Sequence, residues 1–214
     1  MIKLHYLNRS RAKRILCLLE EIGQPYEVVV YQRDAKTSLA PPELKQIHSL
    51  GKSPVIELDD WVLSESGAIT EYLIERFASE RLAPDRGSLE YAQYLQWIHF
   101  AESSAMLPLL LRMFIQRDGC STNGLLGYAE HECQQVLNYL NQHMQGRRYW
   151  VGDRLSGADI MMSFIVDVLQ MSGSLQVYPN LAQFAHQLQT HESWRKANAF
   201  EQQCSAVSDR ASQA

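Results

Sequence analysis

Hydrophobic and polar positions follow two different rhythms along this chain. Over residues 2–7, IKLHYL, apolar and polar positions alternate in a β-rich run, the pattern of a short strand. From Ser10 onward the period lengthens: Ile15, Leu16, Leu18, Leu19 and Ile22 fall at helical spacing, and Gly23 is a natural terminator. PYEVVVY (25–31) reads as a second strand. PPELKQIH (41–48) reads as a short helix, with proline tolerated in its first turn. PVIELDDWVLSESGAITEYLIERF then predicts two short strands turning at Asp59-Asp60 and a helix from Glu65, carrying Ile69, Tyr72, Leu73 and Phe77 on one face. The order β-α-β-α-β-β-α is an α/β sandwich, and more specifically the order of a thioredoxin-like domain.

The rhythm changes at ASERLAPDRGS (78–88), where Pro84, Asp85 and Gly87 punctuate a linker. Beyond it no convincing strand appears. A long helical pattern covers 89–114, with a bend expected where Pro108 removes a donor. Further helices are predicted over 124–144, 156–173 (almost wholly apolar), 179–190 and 192–203. The chain therefore divides into a thioredoxin-like domain (1–78), a linker (79–88), an all-helical domain (89–204) and a small, polar, flexible tail (205–214).

Composition narrows the function classes. Apolar residues make up 46% and charged residues 21%, ordinary globular values that exclude disorder. The net charge of −4 argues against a generic polyanion binder. The basic knot NRSRAKR (8–14) is therefore a local feature. It spans about two helical turns with no interleaved aromatics, which disfavours nucleic acid. Cys17, Cys120, Cys133 and Cys204 are scattered without a CxxC pair, as in a reducing cytoplasm. No apolar leader and no 18-residue apolar run occur, so a cytoplasmic protein without a membrane span is expected. EHEC (130–133) with His143 has metal-binding residue types, but the spacing matches no common zinc motif. Ser156 and Asp159 form S-x-x-D, a reciprocal helix cap with a structural role.

Three motifs carry a resemblance to a known family. GKSPVIELDDWVLSESGAITEYL (51–73) resembles the glutathione-site signature of the glutathione transferases: a proline after strand-breaking residues, then Glu-Ser opening a helix. GDRLSGADIMM (152–162) is similar to that family's helical-domain capping box. YLNRSRAKRILCLLEE (6–21) resembles the first strand–helix junction of its bacterial and fungal branch. The resemblance covers residues 1–203. It implies a cytosolic homodimer that uses glutathione as co-substrate, needs no metal, and transfers it to a hydrophobic electrophile, with peroxide reduction as a side activity.

The resemblance also implies roles for single residues. The family's proline matching Pro54 is cis, an isomer that folds can hold. It turns the Ser53 backbone outward to pair with the cysteinyl main chain of an extended tripeptide. Standing alone, Ser53-Pro54 reads as an ordinary loop-to-strand proline; the SES that follows at this spacing turns the reading toward the glutathione site. Ser66 would donate to the γ-glutamyl carboxylate at a helix N-terminus while Glu65 receives the ammonium. Without the resemblance, the same residues are a capping pair with Ser64 as N-cap and Glu65 answering the dipole. Lys52 would pair the glycyl carboxylate, or is a solvated loop lysine.

Glutathione's thiol is mostly protonated near neutrality, its pKa being about 8.5. The thiolate is the nucleophile, and a helix N-terminus, a hydroxyl donor and positive charge each favour it. Ser10 offers the hydroxyl; Arg9 and Arg11 add favourable field. Ser10 also reads as a plain helix cap with its oxygen turned to the backbone at 12–13. Tyr6, at the strand end, is a competing donor, and Asn8 a further contributor. No cysteine lies in 8–12, which disfavours a mixed-disulfide mechanism or a glutaredoxin-like oxidoreductase, and Cys17 reads as packing. Lys13 and Arg14 read as a solvated helix face. The acceptor pocket is expected between the domains, with Trp97, Ser103, Ser104, Met106 and Leu107 as candidates beside Tyr94 and Phe100. An aromatic and methionine stripe at helical spacing is also what a core helix shows. Ser103 or Ser104 could assist the thiol, and Glu102 would face a second subunit. The alternative function is a transferase-like binding or regulatory protein without turnover.

Overall fold

The computed structural model describes residues 1–34, 36–119 and 121–211, with the backbone alone for 207–211; Cys120 and the last three residues of the expected tail lie outside these. The chain divides into two compact units: Met1–Ala83 together with Gln189–Ala214, and Pro84–Leu188.

The first unit is built on a four-stranded sheet of order β2-β1-β3-β4. β1 (Ile2–Leu7) pairs in parallel with β2 (Tyr26–Tyr31) and antiparallel with β3 (Val55–Leu58), and β4 (Trp61–Ser64) forms a hairpin with β3. Parallel pairing of β1 and β2 needs a crossover, and α1 (Ala12–Ile22) supplies it. That helix stops at Gly23, whose φ of 75° lets its N–H return to the Leu19 carbonyl. The hairpin turns on Asp59 and Asp60, both with positive φ (51° and 63°), the two-residue turn whose twist suits adjoining strands. α2 (Leu44–Ile47) and α3 (Ser66–Phe77) complete the expected order; α4 (Ser79–Leu82) is a further helical turn within the stretch expected to be a linker, and α1 and α3 pack on each other and on the strands.

The last helix departs from expectation. α10 (Glu192–Ala211) does not end near 203 in a flexible tail, and it packs along α1 in the first unit. Trp194, Ala197 and Cys204 are buried. Lys196 pairs with Glu20 at 2.9 Å, and the Lys13 ammonium sits 4.2 Å from the centre of the Trp194 ring. The mean polarity of 192–211 hides this docking face, because only every third or fourth residue needs to be apolar.

The second unit is helical: α5 (Leu89–Phe100), a π turn (Ala101–Ala105), α6 (Met106–Asp118), α7 (Leu125–His143), α8 (Gly157–Met171) and α9 (Pro179–Leu188). A π turn lies just before Pro108, which cannot donate to the carbonyl one turn earlier, and α6 runs on through it. The stretch Leu89–Asp118 is long and apolar enough to cross a membrane by length and composition. Its Tyr94, Trp97, Ile98, Met106 and Leu109 are nevertheless buried, and α5 packs against α8.

α8 is buried along most of its length and is started by the expected cap. Asp159 Oδ2 accepts from the Ser156 N–H and hydroxyl, each at 2.8 Å, and Oδ1 accepts from the Trp150 N–H at 2.9 Å. Complete burial pushes the Asp159 carboxyl up to about 7, against the pull of these donors.

Candidate functional site

Three backbone features converge on the C-terminal end of β1. The first is the Ser53–Pro54 turn, whose peptide bond is cis. The Ser53 hydroxyl donates to the His5 carbonyl at 2.8 Å and accepts from the Leu7 N–H at 3.1 Å. The side chain therefore ties the turn to β1.

The second feature is the β1–α1 junction. Arg9 holds a left-handed backbone, φ 52°, rare for a non-glycine residue and held only where surroundings enforce it. Arg33 braces it from one side: its N–H donates to Asn8 Oδ1 at 3.0 Å, and its guanidinium reaches the carbonyls of Asn8, Ser38 and Arg9 at 3.1, 3.0 and 3.2 Å. Burial draws the Arg33 guanidinium below its ordinary range; Glu201 nearby opposes this, whereas Arg11 and Arg9 add to it. Glu201 braces the other side, accepting from the Arg9 N–H at 2.9 Å and from the Tyr6 hydroxyl.

These contacts change the reading of both candidate thiol donors. Tyr6 is completely buried, its hydroxyl proton committed to Glu201, so it does not reach the surface of the site. Ser10 is buried too: its hydroxyl donates to the Leu7 carbonyl at 2.6 Å and accepts from the Ala12 N–H at 3.1 Å. That is the helix-cap geometry, two residues ahead of the first helical amide.

The third feature is the start of α3. Glu65, with φ 66° and ψ 110°, is the N-cap, while Ser64 is not; the Ser64 hydroxyl instead meets His48 Nε2 at 3.3 Å. Glu65 is exposed, and Ser66 is only 4% exposed. The Ser66 hydroxyl oxygen accepts a hydrogen bond from the Arg14 guanidinium. Arg14 is 1% exposed and Lys13 also buried, so neither belongs to a solvated face. The cause is α10. Every residue from Ala12 to Leu19 is buried because α1 is covered on more than one side, so its charged side chains must find partners inside the unit.

The remaining glutathione candidates lie at the margins: Arg11 is half-buried at the α1 N-cap, and Lys52 is exposed beside the Pro54 turn. The acceptor candidates separate into two groups. Trp97 and Met106 are buried in the second unit, so they are core rather than free pocket wall. Trp97 lies 4.4 Å from the His143 ring, 4.7 Å from that of Trp150 and 5.8 Å from a stacked Tyr139. Burial lowers His143 below its ordinary value, with its bond to the Trp150 carbonyl opposing, as suits a packed imidazole. Ser103, Ser104 and Leu107 are exposed along the π turn and the start of α6. The Ser103 hydroxyl turns back to the His99 carbonyl at 2.9 Å. Among the described residues, no group of three His, Cys, Asp or Glu side chains could hold a metal ion.

Two family models match this chain: the glutathione S-transferase N-terminal domain over residues 1–75 and the glutathione S-transferase C-terminal domain over 112–196. Glutathione S-transferase 3 of Schizosaccharomyces pombe is 31% identical over 187 residues, 79% of this chain and 75% of that protein. The chain belongs to the glutathione S-transferase family. A crystal structure of a glutathione S-transferase from Actinobacillus pleuropneumoniae superposes with a TM-score of 0.87 at 32% identity, covering 94% of this chain and 93% of that one. Elongation factor 1-gamma-B of Xenopus laevis is also similar, 31% identical over 130 residues, 57% of this chain but 28% of that protein.

In this family member, Arg33 and Glu201 brace the site without belonging to the motifs that point to it, and Arg14 does so from within one of them. Arg14 stood in plain view inside NRSRAKR. A buried partner for it could be suspected only by noticing that α1 is too apolar on its remaining faces to leave Arg14 much solvent. Glu201 and Arg33 carry no local signal.

Proposed function

We propose that the chain is a catalytically active glutathione transferase. The observation that carries this reading is the built start of α3. A non-glycine residue is held in a left-handed conformation, at a typical cost of about 1–3 kcal/mol. It is followed by a buried serine whose acceptor side is filled by a buried arginine. A hydroxyl that accepts from Arg14 turns its own proton elsewhere, and at a helix N-terminus the natural recipient is a carboxylate. Ser66 would hold the γ-glutamyl carboxylate and Glu65 its ammonium. The Ser53 backbone would pair with the cysteinyl main chain as an added strand. That pose leads the thiol toward the β1–α1 junction, where the N-terminus of α1 and the arginines 9 and 11 favour the thiolate.

Catalysis would then be thiolate stabilisation and positioning. The thiol proton passes to solvent, the sulfur forms a bond to an electrophilic carbon, and the leaving group departs with the electron pair. A peroxide acceptor would instead be reduced to alcohol and water as glutathione is oxidised to its disulfide. The acceptor is a hydrophobic electrophile, and the working form a cytoplasmic homodimer. Glutathione-dependent conjugation of an aryl halide, run beside reduction of an organic hydroperoxide, tests this reading. Background rates in both would exclude it.

A second reading is favoured by the likeness to an elongation factor 1-gamma and by the engaged Ser10 hydroxyl: a binding protein that keeps the glutathione site without turnover. Calorimetric glutathione binding with no turnover of any acceptor would support it.

Ser10 itself is expected to act through the junction. Ser10→Ala will remove a cap worth about 1 kcal/mol and lower the melting temperature by roughly 2–4 °C. Turnover per folded molecule will fall less than about 10-fold. A loss of 100-fold or more at unchanged melting temperature would instead make Ser10 the thiol's direct partner.

A further inference from the structure

The C-terminal helix reaches the same junction through one carboxylate. Glu201 on α10 takes the Arg9 N–H on Oε1 at 2.9 Å and the Tyr6 hydroxyl on Oε2, while Ser205, one turn further along α10, donates to Oε1 at 2.8 Å. Residues 6 and 9 lie on either side of the end of β1, some 190 residues away in sequence. Phe200, the neighbour of Glu201, meets the Tyr6 ring edge-on at 5.1 Å between centroids, so the helix is docked here by packing as well as by hydrogen bonds.

Each contact has a mechanical consequence. Tyr6 is immobile: buried on β1, with its ring against Phe200 and its hydroxyl on the carboxylate. Arg9 is the one residue of the junction in the left-handed region, and a lone left-handed non-glycine residue relaxes unless its amide or carbonyl is held. Glu201 holds the amide and Arg33 the carbonyl. A carboxylate is suited to the task because its two oxygens accept in different directions. Ser205 fixes one of those oxygens from α10 itself.

We propose that Glu201 is a positioning residue for the glutathione thiolate. By clamping Tyr6 and the left-handed Arg9 it sets the backbone of 7–10, and with it the entry of α1 whose N-terminus faces the thiol. Glu201 does not touch substrate. This inference rests on the proposed transferase reading for its chemistry, but the clamp is testable without turnover.

The test compares wild type with Glu201→Ala, Glu201→Gln and Tyr6→Phe in the full chain. Two quantities are read: deuterium uptake by the peptide spanning residues 8–11, and the pH profile of kcat/KM for glutathione with an aryl halide. Glu201→Ala will speed uptake at 8–11 by about 10-fold or more, as a local opening made easier. It will lower kcat/KM by about 10- to 100-fold, the scale of a misplaced reacting group, through kcat rather than KM. Glu201→Gln keeps an acceptor for the Arg9 amide without the charge, and will recover to within about 3-fold of wild type in both readouts. Tyr6→Phe will fall between, and its effect will not add to that of Glu201→Ala, because the two share one interaction.

Uptake at 8–11 unchanged in Glu201→Ala overturns the clamp. A Glu201→Gln variant as impaired as Glu201→Ala overturns it as well, since charge and not geometry would then be the agent. Faster uptake with kcat per folded molecule intact would leave Glu201 a structural residue and overturn its part in the reaction. Wild-type turnover at background is a separate result: it overturns the transferase reading, while the uptake comparison still decides the clamp.

Discussion

Arg14→Met is expected to weaken glutathione binding by about 30-fold, within the 10- to 150-fold that corresponds to losing a charged hydrogen bond worth about 1.5–3 kcal/mol. The physical chain is short. Arg14 lies buried on α1 and donates to Ser66 Oγ, fixing which way the Ser66 proton points. Without that donor the hydroxyl is free to turn, and the fixed positive charge behind the carboxylate site is gone. Methionine has a comparable stem, but removing one partner of a buried charged contact is destabilising. Glutathione affinity of the folded protein should therefore fall, and the melting temperature with it. A calorimetric titration reads the first and a thermal melt the second. Arg14→Lys restores charge but not the planar fork, and should recover only part of the affinity. A glutathione analogue lacking the γ-glutamyl α-carboxylate should bind both forms alike. If the analogue loses as much affinity as glutathione does, Arg14 shapes the fold and not the carboxylate site.

Asp159→Ala carries the largest expected effect on stability, about 3 kcal/mol. The carboxylate accepts from two backbone amides, those of Trp150 and Ser156, and from the Ser156 hydroxyl, all buried. Removing it leaves the two amides without their acceptor, at about 1–3 kcal/mol each, and loses the cap of α8. The melting temperature should drop by about 10 °C, with turnover per folded molecule unchanged. Asp159 also predicts a pH dependence. Its folded value of about 7 lies above its unfolded value of 3.8, so the folded protein keeps a proton that the unfolded chain has released. Its contribution to stability is therefore full below pH 4 and is lost as pH rises through 7. Denaturant unfolding from pH 4 to 8 should show that decline in wild type, and Asp159→Asn should flatten it.

How much of this was legible beforehand differs between elements. The succession of strands and helices along the chain could be read because periodicity is local: IKLHYL alternates, the helix after it does not, and Asp59-Asp60 marks a turn. The Asp159 cap was equally plain, since its partners lie within ten residues. The sequence places Tyr6 at a strand end and Ser10 at a helix start, but a hydroxyl there says nothing about where its proton goes. Only the fold brings Glu201 to Tyr6 and aims Ser10 at Leu7. Lys13 and Arg14 look solvated in the sequence because the partner helix, α10, comes some 180 residues later and is polar on average. The aromatic stripe on α5 showed its helical spacing but not which neighbours would cover it, and Trp97 turned out to be core.

On the proposed transferase function, this chain binds glutathione and lowers the pKa of its thiol. The most direct measurement is the ultraviolet absorbance of the thiolate, followed against pH on the wild-type protein with glutathione bound. The free thiol titrates near 8.5. We predict that the bound thiol titrates at least about one unit lower. A bound thiol that ionises at the free value, or the absence of saturable binding, would contradict the account.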